Sequence, residues 1–310
     1  MTTIPRRHVL LGSTSLLVLA ACGTDDEADT SAGQTSAASG GTLVISAIPD
    51  QDPEKLNRLY PALATLLAEA TGLKVTYQPV TDYPAVVRAF EIGDIGLSWM
   101  GGLTGVQARS RVPKAQATAQ RDIDADFHSL FIANTSAGLE PFTDTAGLSS
   151  LAGHSFTFGS ETSTSGRLMP QYFMQGAGLE TTALKGEPGF SGSHDATIEA
   201  VASGSFETGA VNEQVWKKTK EAGKVDLSKV VVLFRTPGYA DYHWLARPDL
   251  DEKLGAGTTD KITAALLALD ASKPKDAEVL DLFGAKSFVA TENSNYDKIE
   301  AVATELGLLT

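Results

Sequence analysis

Cysteine is almost missing from this chain: Cys22 is the only one in 310 residues. No internal disulfide can form, and neither a cysteine zinc site nor a cysteine nucleophile can be built elsewhere in the fold. Metal chemistry would have to rest on His and carboxylates, and no metal-ligand spacing of those residues occurs. Basic runs are missing as well. With 25 Lys and Arg against 38 Asp and Glu the formal charge is −13, so nucleic acid, which needs a basic footprint, is excluded as a partner. The apolar run from Val9 to Ala21, interrupted at residues 12–15, is shorter than the roughly 20 residues that span a bilayer. There is no Gly-X-Ser-X-Gly elbow, no His-Glu-X-X-His and no P-loop, which weakens the case for an enzyme. No cofactor is expected.

What is present begins at the N-terminus. Arg6 and Arg7 precede that apolar run, which therefore reads as an export signal over residues 1–21. It ends Leu19-Ala20-Ala21-Cys22, which looks like a bacterial lipobox whose thiol is diacylated and becomes the new N-terminus. A buried thiol is the plainer reading, but Cys22 closes an apolar run and precedes a polar tract. The paired arginines leave twin-arginine and general export both open. From Gly23 to Gly41 no large apolar residue occurs, so the segment cannot offset its ordering entropy and reads as a tether, giving a linker over residues 22–41. The expected location is the outer face of the cell membrane.

A hydrophobic content of 42% supports two ordinary cores. Thr42 to Ala47 is a strand, and Asp52-Pro53-Glu54 then signals a helix start. Leu56, Leu59, Tyr60, Leu63, Leu66, Leu67 and Ala70 form one apolar face until Gly72. Lys74–Val80 is the next strand, followed by a helix over 84–91, a buried strand over 95–100 and a glycine-rich turn, Gly101–Gly105, that opens another helix. The alternation returns: strand 154–159, a helix after Ser165, strand 208–211, a helix over 212–222 and strands 230–235 and 243–247, with helices after Asp260. Residues 135–151 read as a connection with a short helix.

Ser163, Thr164 and Ser165 follow a strand and start a helix, where free N–H groups and the macrodipole favour an anion. Each hydroxyl can donate one hydrogen bond to an oxygen; a simple N-cap would need only one of them. Gly101 and its neighbours offer further backbone donors at a strand's C-terminal end, where ligands gather in open α/β sheets, although a tight turn needs the same glycines. Tyr83 offers a phenol and His194 an imidazole N–H; packing and capping are the bland alternatives. Asp241, in the loop before strand 243–247, reads first as a turn residue.

Together these segments resemble the phosphate/phosphite/phosphonate-binding proteins of ABC importers, across nearly all of residues 42–310. The resemblance is carried by Ala47-Ile-Pro-Asp-Gln-Asp52, Thr81-Asp-Tyr83, Gly93-Asp-Ile-Gly-Leu-Ser-Trp99, Ser163-Thr-Ser-Gly-Arg-Leu-Met-Pro170, Gly192-Ser-His-Asp195 and Gly209-Ala-Val-Asn212. It implies an α/β, two-lobed periplasmic-binding-protein fold of the type II kind, with two α/β domains joined by two crossover segments near Ala133–Ser136 and Thr236–Tyr239. Lobe 1 would hold residues 42–134 and 239–310, and lobe 2 residues 135–238. It further implies that a small tetrahedral oxyanion (phosphonate, phosphite or phosphate) is captured by a monomer for an ABC permease and its ATPase. The Ser163-Thr164-Ser165 run would be the main cradle, Tyr83 and His194 would donate hydrogen bonds, and Asp241 would accept one, with Met100 and Gly101 lining the pocket.

Two departures stand out. Met100 replaces an aromatic residue common in phosphonate binders, and Gln214 stands where aminoalkylphosphonate binders are acidic. The strings 101–109 and 291–296 also look like a subgroup assigned to selenate uptake, which makes selenate the competing ligand. Asp241 bears on the choice. An ionised carboxylate only accepts hydrogen bonds, so it favours an anion that keeps a proton, as phosphorus oxyanions do near neutral pH. Selenate and sulfate keep none. Were Asp241 turned toward the backbone of Tyr242 or His243, that filter would vanish. From other classes, a secreted phosphoester-acting enzyme and a sensory module remain as alternatives.

Overall fold

The computed structural model describes residues 40–223 and 225–309. The export signal, Cys22 and the linker up to residue 39 lie outside the described residues. Eleven strands are described: β1 (Thr42–Ala47), β2 (Lys74–Tyr77), β3 (Leu97–Met100), β4 (Gln116–Arg121), β5 (Ser129–Asn134), β6 (Phe156–Phe158), β7 (Gly189–Phe190), β8 (Thr208–Asn212), β9 (Val230–Arg235), β10 (His243–Ala246) and β11 (Phe288–Ala290). The helices are α1 (Pro53–Thr71), α2 (Tyr83–Ile92), α3 (Gly102–Arg111), α4 (Met169–Gly176), α5 (His194–Ala202), α6 (Glu213–Ala222), α7 (Leu250–Leu254), α8 (Thr258–Leu267), α9 (Pro274–Phe283) and α10 (Asp297–Glu305). Among the described residues no helix is long and apolar enough to cross a membrane.

Helix α1 forms where its signals predict. The Asp52 carboxylate accepts from the Glu54 N–H at 2.7 Å, Pro53 occupies the first turn, and Gly72 ends the helix in the left-handed conformation. Its buried face, Leu56, Leu59, Tyr60, Leu63, Ala64 and Leu67, lies on the first sheet's core. An aromatic cluster fills the same core: Trp99 meets Tyr242, Trp244, Phe283 and Phe288 with ring centroids 5.3–5.9 Å apart. Offset and edge contacts of this kind add to the burial of the rings themselves.

Two mixed sheets organise these elements. The first runs β11-β4-β10-β3-β1-β2 and the second β7-β6-β8-β5-β9. In the first, β1 pairs parallel with β2 and β3, while β10 is antiparallel to both β3 and β4. In the second, β6 is parallel to β7 and β8, and β5 is antiparallel to β8 and β9. The two sheets give a two-lobed protein.

The chain changes sheet earlier than residue 134. Strand β5, assigned above to the first lobe, pairs with β8 and β9 of the second sheet, so the first crossover is the stretch 122–128. The return crossover falls between β9 and β10. The two passages run side by side: Phe127 and Tyr239 exchange backbone hydrogen bonds at 2.8 and 3.0 Å, and the Asp241 N–H donates to the Asp124 carbonyl at 3.0 Å. Other local expectations also shift. The helix after Ser165 begins as a π-helical turn, Thr164–Leu168, before α4 takes over. The short strand β11 stands among the C-terminal helices where only helix was expected.

Candidate functional site

The C-terminal ends of β1, β3, β6 and β8 face one another across the two lobes, and the polar groups beyond them are buried. Ser163, Thr164, Ser165, His194, Asp241 and Asp50 all lie at 2% exposure or less, as does Tyr83. Such groups stay buried only with partners, so the pairing of each one decides what it can offer a ligand.

The three hydroxyls are not equivalent. Ser163 caps the π turn, its oxygen accepting from the Gly166 N–H at 3.0 Å, and its hydroxyl also faces the Tyr83 phenol. Thr164 reaches across to the other lobe: its oxygen accepts from the Leu103 N–H at 2.9 Å, and its hydroxyl lies near enough to the Asp241 carboxyl to pull that group's pKa down. Ser165 lies 3.5 Å from His194 Nε2. The N-terminal amides of α3, expected as donors to a ligand, are thus engaged by the protein, since the Gly102 N–H donates to Asp241 Oδ1 at 3.0 Å. Gly101 is what lets these groups approach. A Cβ there would stand 3.0 Å from Thr164 Oγ1 and 3.2 Å from Asp241 Oδ1. Met100 is fully buried at the end of β3, paired with His243.

Burial without a counter-charge pushes the His194 imidazole down to about 3, so it is neutral. Its tautomer follows from its neighbour: the Asn212 N–H donates to Nδ1 at 3.3 Å, which leaves the proton on Nε2. That N–H points between Ser165 Oγ and the Tyr242 hydroxyl, 3.5 Å from each, too long for either bond to be strong. Asn212 also donates through Nδ2 to the Tyr242 hydroxyl at 2.9 Å and caps α6 by accepting from the Val215 N–H at 2.6 Å. His194, Asn212 and Tyr242 therefore form one network across the lobes.

Asp241 points inward, with its Oδ2 buried and without a partner among the described residues. Desolvation pushes its pKa up to about 7, against the Gly102 N–H that pulls it down. The filter expected of a permanently ionised Asp241 is thereby narrowed, because near neutral pH this carboxyl can supply the proton itself. Two more buried oxygens nearby lack partners: the Tyr83 hydroxyl and Asp50 Oδ1. Asp50 interacts electrostatically with both Tyr83 and Tyr242, and Asp241 with the same two phenols. Three unpartnered polar groups thus converge beside the neutral donors.

Tyr83, Gly101, Ser163, Thr164, Ser165, His194 and Asp241 therefore meet in one buried region, and Met100 lies beside it in sequence, at the end of β3. Asp50 and Asn212 lie in two of the strings that carry the resemblance, but nothing in the sequence marks them, or Tyr242, as site residues. Asp50 stands two residues before a helix cap and reads as part of that turn, and Asn212 reads as a cap, which it also is. From sequence Tyr242 offers only its backbone, as a partner for Asp241. Among the described residues no group of His, Cys, Asp and Glu could hold a metal ion.

The family model for the phosphonate ABC transporter periplasmic substrate-binding protein matches residues 45–296. A probable phosphite-binding protein of an ABC transporter, PhnD1 from Prochlorococcus marinus (strain MIT 9301), is 42% identical over 265 residues, covering 85% of this chain and 89% of that protein. The structure of that PhnD1 in complex with methylphosphonate superposes with a TM-score of 0.85 at 41% identity, covering 86% of this chain and 98% of the other. A phosphate-import protein from Mycolicibacterium smegmatis is 25% identical over 188 residues, 57% of each chain.

Proposed function

Because the chain belongs to the family of periplasmic substrate-binding proteins of phosphonate ABC transporters, we propose that it captures a small phosphorus oxyanion, phosphonate or phosphite foremost, between its lobes and hands it to a permease driven by an ATPase. The observation that carries this reading is the convergence of Tyr83, Asp241 and Asp50, each with a buried unpartnered oxygen, on the neutral His194 N–H and the Ser165 hydroxyl. A tetrahedral anion accepts from Tyr83, Ser163, Ser165 and His194, while Asp241 holds or shares the proton that keeps the pair from repelling. No cation touches the anion in this scheme. Affinity therefore depends little on ionic strength, since the bonds are desolvated.

We assign residues 129–235 to the second lobe and place closure about the paired crossovers. The bonds that cross the cleft, from Leu103 to Thr164, from Asn212 to Tyr242 and from the Asp52 N–H to Asp195 Oδ2 at 2.8 Å, belong to the closed form. We assign the protein to the outer face of the membrane as a monomer, held by lipid on Cys22. None of the groups is arranged to activate a nucleophile, and the function we propose is binding without turnover.

The test is competitive calorimetric titration of methylphosphonate, phosphite, phosphate, sulfate and selenate at pH 8, where Asp241 is ionised. Methylphosphonate or phosphite binding tightest supports the proposal. Preference for selenate would replace phosphorus by selenium as the cargo.

A further inference from the structure

Arg121 and Asp124 form a charged pair that lies wholly inside the protein, at 4% and 0% exposure, and the scheme above gives it no task. Arg121 ends β4, and Asp124 lies three residues on, within the first crossover. The guanidinium donates in a fork, from Nε to Asp124 Oδ2 at 2.8 Å and from Nη2 to Oδ1 at 2.6 Å, and the Arg121 backbone N–H adds a third bond to Oδ2 at 2.9 Å. Nη1 donates to the Phe283 carbonyl, at the end of α9, at 2.9 Å. The pair is thereby fixed to the first lobe. Stability alone is a weak reason for burying two charges, because apolar residues of similar volume often serve a fold as well or better. The contacts of the pair point to another task.

Both partners bear on two consecutive residues of the site. The Asp124 carbonyl accepts from the Asp241 N–H at 3.0 Å, and the Arg121 guanidinium lies 4.8 Å from the centre of the Tyr242 ring. Trp99 and Phe127 pack on the same ring with centroids 5.6 and 5.4 Å away, and the guanidinium is within cation–π reach of both, at 5.4 and 5.6 Å. Beyond them lies the cleft. Asp241 Oδ1 accepts from the Gly102 N–H at 3.0 Å, while the Tyr242 hydroxyl accepts from Asn212 of the second lobe at 2.9 Å and stands 3.5 Å from His194 Nε2. A planar guanidinium can grip a carboxylate with two parallel bonds and stack on an aromatic ring at once, a combination that lysine does not offer.

From these contacts we propose that Arg121 and Asp124 are positioning residues of the anion site, a buried clamp that fixes the Asp241 backbone, and with it the carboxyl that faces the anion, together with the Tyr242 ring that receives the second lobe. The inference rests on the function proposed above. Because the clamp is built wholly from the first lobe and the crossover next to it, it is in place before the lobes close, and binding does not have to order residues 241 and 242. Replacing it by apolar atoms should keep the fold and loosen the site.

The experiment compares wild type with the double variant Arg121→Met, Asp124→Leu, which fills the same space and removes one charge of each sign, and with Arg121→Lys, which keeps the cation and loses the fork. Scanning calorimetry gives the Tm, amide hydrogen exchange followed by NMR reads the Asp241 N–H in the ligand-free protein, and isothermal calorimetry at pH 8 measures methylphosphonate binding. Expected for the double variant are a Tm within a few degrees of wild type, exchange at Asp241 about tenfold or more faster, and binding about tenfold or more weaker. Arg121→Lys should show the last two changes to a smaller degree. A folded double variant that binds methylphosphonate and protects the Asp241 amide as wild type does would show a merely structural pair and overturn the inference. Should the double variant not fold, wild-type affinity and Asp241 protection in Arg121→Lys, whatever its Tm, would overturn it instead. If wild type binds neither methylphosphonate nor phosphite, the proposed function fails, and the exchange rates at Asp241 still decide the clamp by themselves.

Discussion

Thr164→Val replaces a hydroxyl by a methyl group of similar shape at a side chain that ties the anion loop of the second lobe to the helix α3 of the first. One hydrogen bond and one polar contact are lost at once. The Leu103 N–H, now 2.9 Å from Thr164 Oγ1, is left buried with no acceptor, and Asp241 loses a hydroxyl donor. An unsatisfied buried donor costs about 1–3 kcal/mol, and the contact with the Asp241 carboxyl adds at most the worth of a hydrogen bond to a charged group, about 1.5–3 kcal/mol. The two losses share one oxygen and do not add in full, which leaves about 2–4 kcal/mol, or roughly thirtyfold to a thousandfold in Kd. The lower end is expected near neutral pH, because Asp241 is then partly protonated. The cost falls on the closed form alone, since water satisfies both groups when the lobes part. Calorimetry should therefore show much weaker anion binding, scanning calorimetry of the ligand-free protein a Tm within a degree or two of wild type, and Thr164→Ser near-normal affinity. Wild-type affinity in Thr164→Val, or a fall in Tm large enough to account for the lost binding, would refute the reasoning.

Three further outcomes follow from other sites. Anion affinity of the wild type should decline as pH rises through about 7, where Asp241 loses the proton that burial helps it keep, and Asp241→Asn should remove that step from the Kd–pH profile while admitting selenate and sulfate above pH 7. Gly105→Ala should lower Tm by several degrees in a thermal melt, because the new methyl group would stand 2.3 Å from the His243 ring, and overpacking of that kind costs about 1–3 kcal/mol; an unchanged Tm would mean the ring yields freely. Cys22→Ala should release the protein from the membrane fraction into the medium, and intact-mass analysis of the membrane-bound wild type should show the added acyl chains.

Local grammar carried most of this fold. Asp52, Pro53 and Gly72 mark both ends of α1, and the alternation around β1, β3, β8 and β9 is plain in the sequence because each signal lies within a few residues of its effect. Strand pairing has no such signal. Ser129–Asn134 is buried on both faces, so its residues do not say which sheet receives them, and the first crossover lies about a strand earlier than residues 133–136. The site divides along the same line. Ser163, Thr164, Ser165 and His194 stand at helix starts, where a sequence announces free donors. Tyr242 matters through Asn212 and Asp50 through the backbone of His194, and these residues meet only when both lobes are assembled. The need for Gly105 was half legible: the glycine looked like a turn requirement, whereas it sits within α3 and makes room for an imidazole contributed by β10.

The order of strands in the first sheet also sets an order of assembly. β10 lies between β3 and β4, so Trp99 finds Trp244 as its neighbour only after the intervening second lobe has been synthesised. Until residue 246 is delivered, the first sheet consists of two pieces with its middle strand missing. The second sheet, by contrast, is complete by residue 235. The inserted lobe can condense first, and the lobe that surrounds it must wait for a contact of very long sequence separation, the kind that slows folding most. A nascent chain of this design stays incompletely folded through most of its synthesis, with closure of the first sheet left as the last step.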